Sequence, residues 1–456
     1  MGGAMVRTVV VGAGPVGLFT AIAMARRGRE VVLVDRDPGP SASTAIWRRR
    51  GVMQFDHAHT FRGPVVDALG AELPDALAAM LRIGARVVAG PDGAAIAMHC
   101  RRTVFERVLR AVAARQPGLA VVTGHVDAVR RESGRAAGVD IDGRHLDAGL
   151  VIDASGRTSR VMRALRGDSD GGPCGAAYVT RQYRLRDGVE PGPVNSPVGL
   201  SLSLSGYFAV AFRHDGGTFS ITITHDGTDP RVRTLRHAAV YESVVGAIPL
   251  LAEWIDPWRA YPITPVLPGG QLYNSYCGQL DDAGRPRLPG LVAVGDAVCT
   301  TTPLAGRGVT LGLLQSRALI EFLTSCAGDD DLAVATFDGW CRRWIRPWFL
   351  DHVVCDADRL RRWAGGDVDL TRPLPSDLIV AAAQKDATLR GAVADYDSMS
   401  ALPSSLDDLQ VRARAVYASG WRPTLAEGPD REELAQLCVE ASSGDTDRRA
   451  RELCSG

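Results

Sequence analysis

Lysine is almost missing from this chain. Among 52 basic residues a single lysine, Lys385, stands in the last fifth of the sequence, and arginine supplies the rest. Codon bias in a GC-rich genome accounts for such a skew, yet it excludes any mechanism that needs a lysine earlier in the chain. Charge of one sign is missing too. Acidic and basic residues cancel, and no basic patch points to nucleic acid. No polar-free run reaches the roughly 20 residues of a membrane span. The nine cysteines are scattered without a C-x-x-C pair, so neither a zinc site nor a disulfide framework is indicated. Free, mostly buried thiols in a reducing cytoplasm are the expectation. What remains is a 456-residue chain, 46% hydrophobic, long enough for two or three globular domains.

Glycine, by contrast, is placed with a pattern. Gly12-x-Gly14-x-x-Gly17 lies between an apolar run, Arg7 to Val11, and a helical stretch from Pro15 to Gly28; a second apolar run, Glu30 to Val34, ends at Asp35. Strand, glycine turn and helix set a helix N-terminus under a pyrophosphate. Two glycines serve the turn and the close phosphate approach, and the third serves helix–strand packing. Pro15 and Val16 open the helix and join this set. Asp35 suits the ribose hydroxyls of an adenosine and would repel a 2′-phosphate. Two more motifs follow in order: Asp153-Ala154-Ser155-Gly156-Arg157, and Gly295-Asp296 with Pro303-x-x-Gly306-Arg307-Gly308-Val309-Thr310. Each alone is weak. Their order and spread point to FAD held by one chain.

The rest of the chain divides by texture. Thr103 to Ala114 reads as an amphipathic helix, and Leu119 to Val122 and Leu150 to Ile152 as further buried strands. Val126 to Leu146 reads as a small antiparallel excursion. From Gly171 to Tyr276 two-residue alternation predicts an antiparallel sheet at Tyr178–Leu185, Tyr207–Arg213 and Thr218–His225. Leu291 to Val294 returns to the buried-strand pattern, Val309 to Leu323 is helical, and the tail from about Asp331 is helical and rich in tryptophan. The expected fold is α/β: a discontinuous Rossmann-type FAD domain (1–170 and 281–330), an antiparallel substrate domain (171–280) and a helical C-terminal region (331–456).

With these motifs the chain resembles the single-component flavoprotein monooxygenases of the para-hydroxybenzoate hydroxylase type. That superfamily also holds squalene-epoxidase-like and geranylgeranyl-reductase-like enzymes and flavin-dependent halogenases. The resemblance covers about residues 7 to 325. It implies that Gly12, Gly14 and Gly17 meet the pyrophosphate, Asp35 the ribose and Arg36 the adenine. It implies that Arg102, ahead of Phe105-Glu106, reaches the phosphates or ribityl chain, and that Val126 meets the adenine through its backbone. Asp153 falls in the second motif and Asp296 matches the ribityl acid. Pro303, Gly306, Arg307, Gly308, Val309 and Thr310 form the loop facing the flavin pyrimidine edge. Many aromatic hydroxylases have Gln and Asn where this chain has Arg307 and Thr310; its loop is closer to the squalene-epoxidase form. The segment Arg48-Arg49-Arg50-Gly51-Val52-Met53-Gln54-Phe55-Asp56-His57-Ala58-His59 matches one that runs beside the isoalloxazine, which makes Gln54, His57 and His59, with Thr310, the candidate catalytic residues. His57 and His59 have no third ligand nearby, so no metal is expected.

The resemblance implies monooxygenation of a small or medium organic molecule, with non-covalent FAD, NAD(P)H as reductant, O2 as co-substrate and a flavin C4a-hydroperoxide as oxygen donor. Alkene epoxidation, redox chemistry without oxygen insertion, and a non-enzymatic FAD-binding role are the alternatives. Halogenation fits less well. The family uses a flavin-domain lysine and a Trp-x-Trp-x-Ile-Pro segment; this chain has Lys385 elsewhere and Trp254-Ile255-Asp256-Pro257-Trp258. Substrate identity and oligomeric state are not encoded in any motif.

Overall fold

The computed structural model describes residues 7–40, 47–49, 51–165, 170–326 and 328–454; Arg50 of the arginine triplet lies outside them. Strands β1 (Thr8–Val11), β2 (Val31–Asp35), β3 (Leu119–Thr123) and β4 (Leu150–Asp153) pair in parallel, and Leu291–Ala293 adds beyond β4. The runs TVVV, VVLVD and LVID are buried throughout, as continuous apolar strands covered on both faces must be. A strand from residue 291 thus completes a sheet begun at residue 8, which is the discontinuous Rossmann-type arrangement expected.

Helix α1 (Pro15–Arg26) starts with proline at its first turn, where the missing N–H costs nothing. It stops short of the expected Gly28 because that glycine takes a left-handed φ of 82°. It is buried almost all round, between the sheet and α3 below. Helix α2 (Arg102–Ala113) buries Phe105, Val108, Leu109 and Val112 of its apolar face, while Val104 of that face is only half-buried. Helix α3 (Gly308–Ser325) crosses α1 closely. A Cβ on Gly312 would lie 2.3 Å from a methyl of Val16, and Thr20 donates to Ser316 at 2.8 Å. The excursion after residue 126 is a three-stranded antiparallel sheet. A second small sheet, Phe61–Arg62, Ala95–His99 and Arg86–Ala89, has strands too short to show in the sequence pattern.

The second layer is antiparallel. Strands β5 (Ala176–Leu185), β6 (Gly199–Leu204), β7 (Tyr207–Arg213) and β8 (Thr218–Asp226) lie in the order β6-β7-β8-β5, followed by Ala260–Pro262. Their two-residue period sorts the sheet into two faces. Val179, Tyr183, Ala209, Ala211, Ile221 and Ile223 enter a second core. That core is closed by helices Ala238–Gly246 and Pro249–Ile255, which the sequence texture had hidden inside a β-rich stretch. Trp254 is fully buried there, donating to the Pro193 carbonyl at 3.0 Å, while Trp258 is exposed. The C-terminal region is helical as expected. Helix α4 (Arg346–Trp363) packs toward the flavin-type loop, and α5 (Arg431–Cys454) returns to place Leu434, Ala435 and Cys438 in the second core. No helix among the described residues is long and apolar enough to cross a membrane.

Candidate active site

One cavity of about 290 Å3 runs from the glycine turn to the inner face of the antiparallel sheet. At its first end the three glycines have separate duties. Gly12 takes φ 101°, and a Cβ there would sit 2.6 Å from the Ala154 carbonyl oxygen on the neighbouring strand's exit. Gly17 has no room for a Cβ, which would lie 1.8 Å from the Gly12 carbonyl oxygen. Gly14 alone faces open space, its nearest neighbour being the Arg49 guanidinium at 3.9 Å. Gly12, Gly14, Pro15 and Val16 line the cavity; Gly17 supports them from behind.

Asp35 stands where the fingerprint puts it, but it is already occupied. Its carboxylate accepts the Ala13 N–H, the Asp37 N–H at 2.8 Å and Arg49 Nη2 at 2.6 Å. A carboxylate has about four acceptor positions, so a ribose hydroxyl has to share this one with Arg49. Burial pulls the Arg49 guanidinium toward neutrality, but Glu106 and Asp35 outweigh it and hold the charge. Glu106 is fully buried and pairs with Arg49 at 2.8 Å and Arg102 at 2.6 Å. These two arginines face one cavity from separate elements, fixed by one carboxylate. The Arg49–Glu106 pairing was not legible in sequence: the two lie 57 positions apart and only the tertiary fold joins them. Arg36 and Val126 line an adjoining recess with Arg160 and Arg163, contiguous with the cavity through Gly12, Asp35, Arg49 and Ser155.

The third motif closes the other side. Gly295, Asp296, Pro303, Gly306, Gly308 and Val309 line the cavity. The Asp296 carboxylate has no hydrogen-bond partner among the described residues; burial raises its pKa, offset in part by Arg102 and Arg157. Three expectations change here, at Arg307, Thr310 and Asp153. The Arg307 side chain turns away from the cavity. It pairs with Asp351 at 3.0 Å and lies between the rings of Trp348 and Tyr396, so it ties the loop to the C-terminal helices. Thr310 is the third residue of α3 rather than a lining or capping group, and its hydroxyl is buried without a partner. Asp153 is likewise turned inward, binding Ser155 and Ser159.

Of the histidine segment, Gln54 and His59 line the cavity and His57 does not. His59 donates Nδ1–H to the His57 carbonyl at 3.0 Å, which leaves Nε2 as an acceptor, with Arg102 Nη1 at 3.5 Å from it. Burial and the Arg102 charge push His59 down to about 3 and His57 down to about 4, so both are neutral. His57 sits edge-on to Tyr178, ring centroids 4.9 Å apart. Among the described residues no three His, Cys, Asp or Glu side chains converge on a metal position. The far wall is the cavity-facing parity of the sheet: Tyr178, Thr180, Phe208, Val210, Phe212, Thr222 and Thr224. Sequence alternation predicted these strands but not which parity would face a ligand.

The residues fit an FAD. An open glycine turn, a buried cation over it, an unpartnered carboxylate at Asp296 and the start of an 18-residue helix stand around one elongated cavity. Comparison with known proteins agrees. The chain matches the NAD(P)-binding Rossmann-like domain family over residues 10–72 and the tryptophan halogenase family over residues 71–170. It is 22% identical over 354 residues to the protein FixC of Salmonella typhi, covering 71% of this chain and 78% of that one. A D-amino acid dehydrogenase of Ralstonia nicotianae is 42% identical, but over 57 residues that make up 12% of this chain and 13% of the dehydrogenase. Among solved structures it is similar to PqsL, a probable FAD-dependent monooxygenase from Pseudomonas aeruginosa, with TM-score 0.60, 16% identity and coverage of 79% of this chain and 98% of that one. A flavin-dependent brominase gives TM-score 0.58 at 14% identity over 91% of this chain and 98% of its own. The fold is shared with these solved flavin-dependent enzymes. The chain's own glycine turn and Asp296 line the cavity that fits a dinucleotide.

Proposed function

We propose that the chain is an FAD-dependent monooxygenase acting on a small or medium organic molecule, with NAD(P)H and O2 as co-substrates. One observation carries this reading: the glycine-turn end and a chamber walled by hydroxyls and aromatic rings are a single cavity, so one continuous space can take both cofactor and substrate. FAD, when bound, supplies the redox chemistry. The chain's residues bind, orient and exclude water. Gly12 and Gly14 present backbone to the diphosphate, and Arg49 and Arg102 balance its charge. Asp296 accepts hydrogen bonds from polyol hydroxyls. The first N–H groups of α3, from Gly308 on, face the end of the cavity where negative charge is to be stabilised. Gln54 and His59 border the same space; His59, neutral and with its Nδ1–H given to the His57 carbonyl, can accept one hydrogen bond through Nε2 without bringing in charge. Non-covalent attachment is expected, because no cysteine or histidine lies in the 306–310 loop. Eight described cysteines are free and mostly buried, which suits a reducing cytoplasm.

Halogenation is the second reading, favoured by the family match over residues 71–170. The missing flavin-domain lysine speaks against it. Incubation with NADH or NADPH, O2, chloride and bromide, across a panel of aromatic and alkene substrates, separates the two. A product heavier by one oxygen atom supports the monooxygenase. A halogenated product, or a change of two hydrogens only, replaces it.

A further inference from the structure

The loop that leads from Asp296 to α3 is tethered at both ends, and both tethers run to α4. At the far end stands the Arg307–Asp351 pair. At the near end the Thr302 N–H donates to Asn274 Oδ1 at 2.7 Å, and Asn274 Nδ2 donates to Asp356 Oδ2 at 2.8 Å. Asn274 belongs to strand Tyr273–Tyr276, which pairs with Cys299–Thr300 just ahead of the loop. Its amide therefore bridges the loop and α4. Asn274 is 2% exposed, Thr302 1% and Asp356 4%, so water does not stand in for these bonds. Arg359 pairs with Asp356 at 2.6 Å and fixes its carboxylate in place.

The loop is also held between its ends. Arg62 donates to the Ala305 carbonyl at 3.0 Å, and the Thr300 hydroxyl donates to the Asp296 carbonyl at 2.9 Å. On α4, Trp348, Asp351, Cys355 and Asp356 recur at helical spacing along one buried face. That face stands behind the cavity wall. Pro303, Leu304, Gly306 and Gly308 line the cavity, while Asn274, Thr302, Asp351 and Asp356 do not. A carboxamide suits this place because the Thr302 N–H needs an acceptor and the Asp356 carboxylate a donor. Asparagine offers one of each on a single rigid plane.

We propose that Asn274, held by Asp356 of α4, is a positioning residue for the cofactor: it sets where the loop 302–307, and with it the N-terminus of α3, stands against the flavin ring. The proposal rests on reading the cavity as an FAD site. Reduction of FAD by two electrons and one proton adds one negative charge to the ring system. The first N–H groups of α3 are the donors that stabilise it. Released at Thr302, the loop keeps its Arg307 tether and shifts at its cavity-lining residues. Those donors then lose alignment with a charge that the ring carries only when reduced. The glycine turn, on the opposite side of the cavity, holds oxidised FAD as before.

The midpoint potential of the bound flavin, measured on the purified holoenzyme by anaerobic equilibration with a reference dye, tests this without turnover. Asn274→Leu keeps the volume and removes both hydrogen bonds; Asn274→Ala is the smaller replacement should the leucine prevent folding. The variant is expected to hold reduced FAD, relative to oxidised FAD, about tenfold less tightly, the worth of one charge-assisted hydrogen bond. For a two-electron couple that is a fall of about 30 mV. Asp356→Asn is the conservative counterpart. It gives up the ion pair with Arg359 but keeps an oxygen for Asn274 Nδ2. Its urea midpoint is expected to fall while its flavin potential stays at the parent's. An unmoved potential in the Asn274 variants overturns the proposal. So does an equal fall in Asp356→Asn, which would tie the potential to stability rather than to the amide. An Asn274→Ala protein that does not fold or does not hold FAD overturns it too, since Asn274 would then make the site rather than adjust it. No nicotinamide, oxygen or substrate enters the measurement, so its outcome is separate from whether oxygen insertion is found. A parent protein that binds no FAD would overturn the cofactor reading itself.

Discussion

At the scale of single residues, the site is governed by how few polar groups are left unmatched. Asp296 is one of them: a half-buried carboxylate on the cavity wall, its pKa raised by desolvation and pulled back in part by Arg102 and Arg157. Asp296→Ala is therefore expected to weaken FAD binding by about 1.5–3 kcal/mol, roughly tenfold to hundredfold. Fluorescence titration of apoprotein with FAD measures it, and unchanged affinity would remove Asp296 from the cofactor site. Arg307 has a different duty from the one its position in the motif implies. With Asp351, Trp348 and Tyr396 it forms a buried charged cluster, and Arg307→Met leaves Asp351 without its cation. The expected loss is about 3–5 kcal/mol of stability in urea unfolding, with flavin released in the same transition. Flavin loss from a protein as stable as the parent would instead place Arg307 at the cofactor.

At the scale of elements, close helix packing and second-core closure are the sensitive points. Gly312 lets α3 approach α1, and a methyl there meets Val16 at 2.3 Å. Gly312→Ala is expected to cost about 1–3 kcal/mol. Gly391, in the helix Arg390–Ser398, has nothing within 4 Å of a built Cβ. Gly391→Ala should be neutral or gain up to about 1 kcal/mol. Parallel urea melts decide this, and equal effects would mean that the α1–α3 gap relaxes freely. α5 matters in the same way. Leu434 is 1% exposed in the second core, more than two hundred residues after the strands it covers. Leu434→Ala is expected to cost about 2–5 kcal/mol. A loss below half a kcal/mol would mean that α5 is dispensable to the substrate sheet.

At the scale of the whole molecule, burial pushes six histidines below their ordinary range: His57, His59, His99, His214, His225 and His352. His57 is pushed down to about 4, and His59 and His214 to about 3. Unfolded, each titrates near 6.5. Between those values the unfolded chain binds more protons, so their contribution to stability is complete above about pH 6.5 and is lost as pH falls toward 4. Carboxylates such as Asp56 and Asp296, whose pKa burial raises, act in the opposite direction. The urea midpoint of His57→Gln minus that of the parent, followed from pH 7 to pH 4, isolates the histidine. The difference should move in favour of the variant as pH falls, and a difference independent of pH would mean that His57 titrates in the folded protein as it does in the unfolded chain.

The sequence alone determined the parts whose physics is local. A glycine spacing that only one turn satisfies, apolar runs that must be covered on both faces, and two-residue alternation specify the parallel sheet, α1 and the antiparallel strands to within a few residues. The same local chemistry marked Gly12, Gly14 and Asp35, and the family resemblance marked Asp296; all four line the one cavity. Tertiary structure decided everything that depends on which distant groups meet. It brought Glu106 against Arg49, turned Arg307 toward Asp351, set His57 behind Tyr178, and folded α5 over strands laid down two hundred residues earlier. It also chose which parity of β5 and β8 faces the cavity. Alternation defines two faces, but burial against helices far along the chain selects the one left for a ligand.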